Sequence, residues 1–134
     1  MTVASFCLLV ACVLPIVCAG IAKSGMFSTP RSQGGYDNRD PRAWLARQTG
    51  RRARANAAQA NSFEALPLFI AAVLVAQQAG AAQGHVDALA VVFVLLRITY
   101  VALYVGDRAA QRSLVWIAGY LVCVAIFLLP LWAA

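Results

Sequence analysis

A chain of 134 residues that is 62% hydrophobic and only 12% charged has the length of one domain, but its apolar share lies far above the roughly 45 to 50% of ordinary soluble domains. That balance argues against a soluble fold. The formal net charge of +6 does not point to nucleic acid either: the basic residues form no patch interleaved with aromatics and sort instead into the loops between apolar spans.

The first span, Val3 to Ala22, carries no charge and is close to the ~20 residues that cross a bilayer core. Leu9-Val10-Ala11-Cys12 looks like a lipoprotein cleavage box and Val17-Cys18-Ala19 like a small-residue cleavage site. However, no Lys or Arg precedes the apolar run, and it continues well past Cys12, so a retained helix is expected. Cys7, Cys12, Cys18 and Cys123 all sit in apolar spans, with no Cys-x-x-Cys spacing and no histidine cluster nearby. They read as small hydrophobes rather than metal ligands or a disulfide framework, and no metal is expected.

Residues 23 to 54 form a basic loop containing Lys23, Arg31, Arg39, Arg42, Arg47, Arg51, Arg52 and Arg54. Its first part, Ser24 to Pro30 and Ser32 to Gly35, is rich in turn formers and predicts a mobile segment. Asp40 and Pro41 supply an N-cap and a proline at the first helical position, so a short helix is expected over Arg42 to Thr49, stopping at Gly50. Trp44 and Leu45 among its arginines suggest that it rests at the membrane interface.

The second span, residues 55 to 77, is polar in its first half and contains Asn61, Glu64 and Pro67. A short turn, Gln77 to Gly84, leads to the third span, 86 to 108, where Asp87 is expected to cap the helix and Arg97, Tyr100 and Tyr104 follow. After a second basic loop, 106 to 113, with Arg108 and Arg112, the fourth span covers 113 to 133 and carries Trp116 and Trp132 as lipid-facing or interface aromatics. Apart from Arg97 inside the third span, all the cations lie in the two loops on one side, so the positive-inside rule places both loops in the cytoplasm and both termini outside. The expectation is a single all-α domain, 1 to 134, an integral membrane four-helix bundle running up-down-up-down in the bilayer of a cell's inner membrane.

Charged groups in hydrocarbon cost at least ~2.5 to 3.5 kcal/mol each, so they persist where partners, water or a polar ligand receive them. At 100° per residue, Arg54, Ala57, Asn61, Glu64 and Leu68 fall within about 80° of one another, and Arg97, Tyr100, Tyr104 and Arg108 share a stripe on the next helix. Packed side by side, these stripes bring Glu64 and Asn61 towards Arg97 and the phenols. Pro67 leaves the Phe63 carbonyl without its helical donor close to the acid. The residues alone leave two readings open: an interhelical Glu64–Arg97 ion pair that only fixes packing, or a ligand site. Asn61 alone would serve as an interhelical hydrogen-bonding residue, Tyr100 and Tyr104 as interface aromatics, and Arg112 as a topology residue.

The run Gln59-Ala60-Asn61-Ser62-Phe63-Glu64-Ala65-Leu66-Pro67 and the spacing Arg97-x-x-Tyr100-x-x-x-Tyr104 resemble the MAPEG family, the membrane-associated proteins of eicosanoid and glutathione metabolism; Asp37 to Arg42 and Arg54 to Ala58 resemble its bacterial branch. The resemblance implies a homotrimer of four-helix subunits that binds glutathione between subunits from the cytoplasmic side and acts as a transferase or peroxidase on a lipophilic electrophile. It further implies that Gln59, Asn61, Glu64, Arg97, Tyr100 and Tyr104 hold the tripeptide, with Glu64 receiving its amino group. Two positions depart from the pattern. Ala57 stands where the eicosanoid enzymes carry an arginine, for which Arg54 on the same stripe is the substitute. Arg112 matches the thiolate-stabilising arginine, the catalytic candidate, only with a shift of about one residue. The alternative is a non-catalytic binding or scaffold protein of the same fold.

Overall fold

The computed structural model describes residues 1–132. The chain forms α1 (Val3–Lys23), α2 (Pro41–Ala46), α3 (Gly50–Gln78), α4 (Gln83–Val105) and α5 (Ala109–Leu128), the last continued by a 3-10 turn, Leu129–Trp132. Four of these helical segments, with α5 and its 3-10 turn counted as one, are long and apolar enough to span a membrane, and among the described residues there is no strand. The fold is an all-α membrane four-helix bundle. α1 packs on α3 and α4, while α5 packs on α4 and α3, so the two helices with polar residues form its middle.

Small side chains set the α1–α3 contact. Ala4, Cys7, Ala11, Cys18 and Ala22 recur at helical spacing and are buried where α1 packs on an α3 face that includes Ala55, Ala58, Ala72 and Ala76. In lipid, where burial of apolar surface gives no drive, small residues let backbones approach and make dispersion contacts. Cys7 and Cys18 are part of that small-residue seam. The deeper core adds Phe69 stacked on Phe93 at 4.0 Å, with Val73, Val86 and Ile126 fully buried around them.

Several helix ends differ from the expectations, each for a visible reason. α3 starts at Gly50 rather than 55. Gly50, at φ +57, makes the sharp entry into the helix instead of stopping the preceding one, and Arg51, Arg52 and Arg54 are good helix formers. At 29 residues α3 is about 43 Å long, more than the roughly 30 Å needed to cross a hydrocarbon core, so it is long enough to span one without its arginine-bearing first turns. α4 ends at Val105 rather than 108. Arg108 N donates to Leu103 O (2.9 Å) and Asp107 N to Tyr104 O (3.2 Å) around Asp107 at φ +62, a Schellman arrangement that an Asp can adopt. α5 accordingly starts at Ala109; its expected end at residue 133 lies outside the described residues.

Asp87 does not cap its own helix. Its Oδ1 accepts from Ala4 N (2.8 Å) and from Gln83 Nε2 (2.8 Å), so it satisfies a free donor at the start of α1 and ties α1 to α4. Gln77 Nε2 donates to both Thr2 Oγ1 and Gln83 Oε1 (3.2 Å each), drawing the end of α3 into the same clasp.

The segment expected to be mobile is folded. Phe27, Tyr36 and Trp44 meet edge-on with centroids 5.2 Å apart, Lys23 Nζ lies 4.6 Å above the Tyr36 ring, and Trp44 Nε1 donates to Gly34 O (3.1 Å). Trp44 is 2% exposed, so it anchors this loop rather than resting in the membrane interface. The packing is close enough that a Cβ on Gly35 would lie 1.8 Å from Thr29 O.

Candidate functional site

α3 and α4 bring their polar stripes together, as the sequence suggested, but not by a direct ion pair. Arg97, 4% exposed, donates from Nη2 to Asn61 Oδ1 (3.0 Å) and to Ser62 Oγ (3.3 Å). Asn61 in turn donates from Nδ2 to Glu64 Oε2 (3.2 Å). The amide thus stands between the guanidinium and the carboxylate, and no Glu64–Arg97 contact reaches ion-pair distance among the described residues. A buried cation held only by neutral partners is costly unless it is well hydrogen-bonded or receives an anion. Glu64 itself is exposed in the cleft, with its other oxygen free of protein hydrogen bonds.

Two aromatic rings line the way from that point to a second cation. The Arg97 guanidinium lies 4.3 Å from the Tyr100 centroid, Tyr100 meets Tyr104 edge-on at 5.6 Å, and the Arg112 guanidinium sits 4.0 Å over Tyr104. Cations so placed gain roughly 0.5 to 2 kcal/mol from the ring quadrupole. The result is a continuous wall, from Glu64 in the bundle to Arg112 at the start of α5, that alternates charge, amide and phenol.

The wall faces two adjoining cavities. One, about 280 Å³, is bounded by Asn61, Glu64 and Arg97 on its polar side and by Leu68, Phe93 and Cys123 on its apolar side. The other, also about 280 Å³, shares Asn61 and Trp116 with it and continues past Tyr100 to Arg112 and Ser113. Ligand pockets usually begin near roughly 300 Å³, so the joined space is of ligand size.

α5 supplies the third side, which sequence reasoning missed. Trp116, expected to face lipid, lines both cavities and stacks on Tyr120 with centroids 5.8 Å apart. Gly119 keeps the floor open, since a Cβ there would meet only Phe93, at 3.9 Å. The spacing puts 116, 119, 120 and 123 on one helical face, but it does not say that this face, rather than another of the same apolar helix, meets a cleft. Ser62 was also overlooked; its hydroxyl donates to Ala58 O (2.8 Å) and accepts from Arg97, which makes it a buried support for the guanidinium.

Asn61, Glu64, Arg97, Tyr100 and Arg112 line the cavities, with Tyr104 behind Arg112. Two other expected residues lie elsewhere. Arg54 shares the Asn61 stripe but is seven positions away, about 10 Å along the helix, and is held by Val105 O (3.1 Å) and Asp107 (3.8 Å). Gln59 points about 160° away from Asn61 around α3, and its Oε1 is buried without a partner. Among the described residues no cluster of His, Cys, Asp or Glu could hold a metal ion.

No curated protein and no solved structure matches this chain. The model of the MAPEG family matches residues 3–132, nearly the whole sequence, and the chain belongs to that family.

Proposed function

We propose that this multi-pass membrane protein is a glutathione-dependent transferase or peroxidase acting on a lipophilic electrophile, and that glutathione lies in the cleft between α3, α4 and α5. Family membership supports a membrane-bound, glutathione-related activity. The observation that carries the finer reading is the wall from Glu64 through Asn61 and Arg97 to Arg112 along a cavity with an apolar floor.

The donor set fits the tripeptide by charge. Glu64 offers one anion to its ammonium, Arg97 offers a planar fork to a carboxylate, and Asn61 with the phenols offers partners for its amides. Arg112 is the catalytic candidate: a cation beside the sulfur favours the thiolate, which is the nucleophile. In a conjugation the thiol proton leaves to water, the sulfur–carbon bond forms, and the displaced group departs with its electron pair. Leu68, Phe93 and Trp116 form the apolar side against which a membrane-dissolved electrophile would rest.

In this reading the protein is a homotrimer in a bacterial inner membrane, with both basic loops cytoplasmic. Arg54 and Gln59, which do not line their own cleft, would then serve one on an adjacent subunit. A second reading, a non-catalytic binder of the same fold, is favoured by Ala57 and would share every binding residue. Conjugation of a chromogenic electrophile by the purified protein separates them. Glutathione-dependent turnover that disappears in Arg112→Leu supports the enzyme, and saturable binding with no turnover supports the binder.

A further inference from the structure

On the other side of the bundle a third space, about 590 Å³, opens between α1 and α4 at the end that carries the basic loops. Its walls are apolar stripes at helical spacing: Leu14, Val17 and Ile21 on α1, and Ile98, Val101 and Val105 on α4. Arg51, in the first turn of α3, is the one charged residue on its rim. We infer that this groove holds an anionic phospholipid of the surrounding bilayer, with its chains on the apolar stripes and its phosphate at Arg51.

Length favours a lipid chain over a second helix. From Leu14 to Ile21 the groove runs about 10 Å along the helices, most of one leaflet's roughly 15 Å of hydrocarbon but far short of the roughly 30 Å that a spanning helix would need to pack against. Charge favours an anion. Of the acids at this end, Asp37 pairs with Arg31, Asp107 pairs with Arg54, and Asp40 accepts from Ala43 N to cap α2. Arg51 makes no hydrogen bond or ion pair among the described residues. The same first turn of α3 has no side-chain cap, since Thr49 accepts no bond there, so backbone donors add to the attraction for a phosphate. The inference does not depend on glutathione binding, because the groove and the α3–α4–α5 cleft share no lining residue.

The test is native mass spectrometry of the whole protein ejected from nanodiscs of phosphatidylcholine containing a minority of phosphatidylglycerol. The wild type should retain phosphatidylglycerol in preference to phosphatidylcholine. Arg51→Gln should reduce that retention roughly fivefold, the weight of one charge near an anionic surface, and Ala102→Trp should remove retained lipid of either headgroup by filling the groove. Both positions are exposed, and the oligomer mass in the same spectra checks that each variant is folded. Equal retention of the two lipids by the wild type, or undiminished phosphatidylglycerol in both variants, would overturn the inference. So would complete displacement by an equal amount of a fatty acid, which would assign the groove to a carboxylate, or an Ile98→Cys cross-link between copies, which would assign it to a second chain.

Discussion

Arg97 and Glu64 are bridged by Asn61, whose carbonyl accepts from the guanidinium at 3.0 Å and whose amide donates to the carboxylate at 3.2 Å. Neither charge is quenched by the other, which leaves an anion and a cation available on one wall of the same cavity. Asn61→Ala should break both links, and hydrogen bonds to charged groups contribute about 1.5 to 3 kcal/mol each. Glutathione affinity should fall about tenfold or more, while Asn61→Asp should weaken binding further by setting a second acid beside Glu64. Equilibrium binding of radiolabelled glutathione by each variant checks this.

Gly119 gives a steric test. An added Cβ meets Phe93 only at ordinary contact distance, 3.9 Å, so Gly119→Ala should fold and bind glutathione much as the wild type does. Gly119→Leu should fill the apolar side of the cavity, raising KM for a lipophilic electrophile severalfold with a smaller effect on KM for glutathione. Steady-state kinetics varying each substrate in turn distinguishes the two effects.

Arg112 gives a pH test. A free thiol titrates near about 8.5, and a neighbouring cation lowers that value by favouring the charged form. Activity should therefore rise with pH along a limb that lies below the free-thiol value in the wild type. Replacing Arg112 with Leu should move that limb upward, so the loss of rate is greatest near neutral pH and shrinks under alkaline conditions. The pH dependence of kcat/KM for glutathione measures it.

Gly35 and Asp87 test the frame around the site. A side chain at Gly35 cannot be accommodated 1.8 Å from Thr29 O, so Gly35→Ala should loosen the Phe27–Tyr36–Trp44 cluster and increase proteolysis between residues 24 and 49. Asp87→Ala removes the acceptor for Ala4 N, and losing such a cap costs typically ~1 kcal/mol, which should appear as a lower unfolding temperature in detergent.

Hydropathy and charge were enough to read the four spans and their order, because crossing lipid demands long uninterrupted apolar helices. The pairing of Asn61 with Arg97 was legible for a similar reason: intramembrane polar groups must find each other, and helical spacing put them on facing stripes. Three things were not legible. Asp87 reads as a cap only if its helix starts near 86; α4 starts at Gln83, a turn earlier, and only the tertiary fold shows that Asp87 serves Ala4 N in α1 instead. Trp116 was read as a lipid-facing aromatic because hydropathy does not say which side of an apolar helix faces a cleft. The loop around Trp44 carries turn formers that look disordered when read locally, whereas its order comes from aromatic contacts and a hydrogen bond that join residues about eight to ten positions apart, beyond the reach of turn or helix periodicity.

The central claim is that the α3–α4–α5 cleft receives glutathione through the Glu64 carboxylate. Isothermal titration of purified wild type and Glu64→Gln with glutathione in detergent tests it most directly, since Glu64 is exposed and its amide replacement can keep the bond from Asn61. Saturable heat is expected for the wild type, and Glu64→Gln should lose most of the affinity with the oligomer unchanged. Equal binding by both proteins, or no binding by the folded wild type, would contradict it.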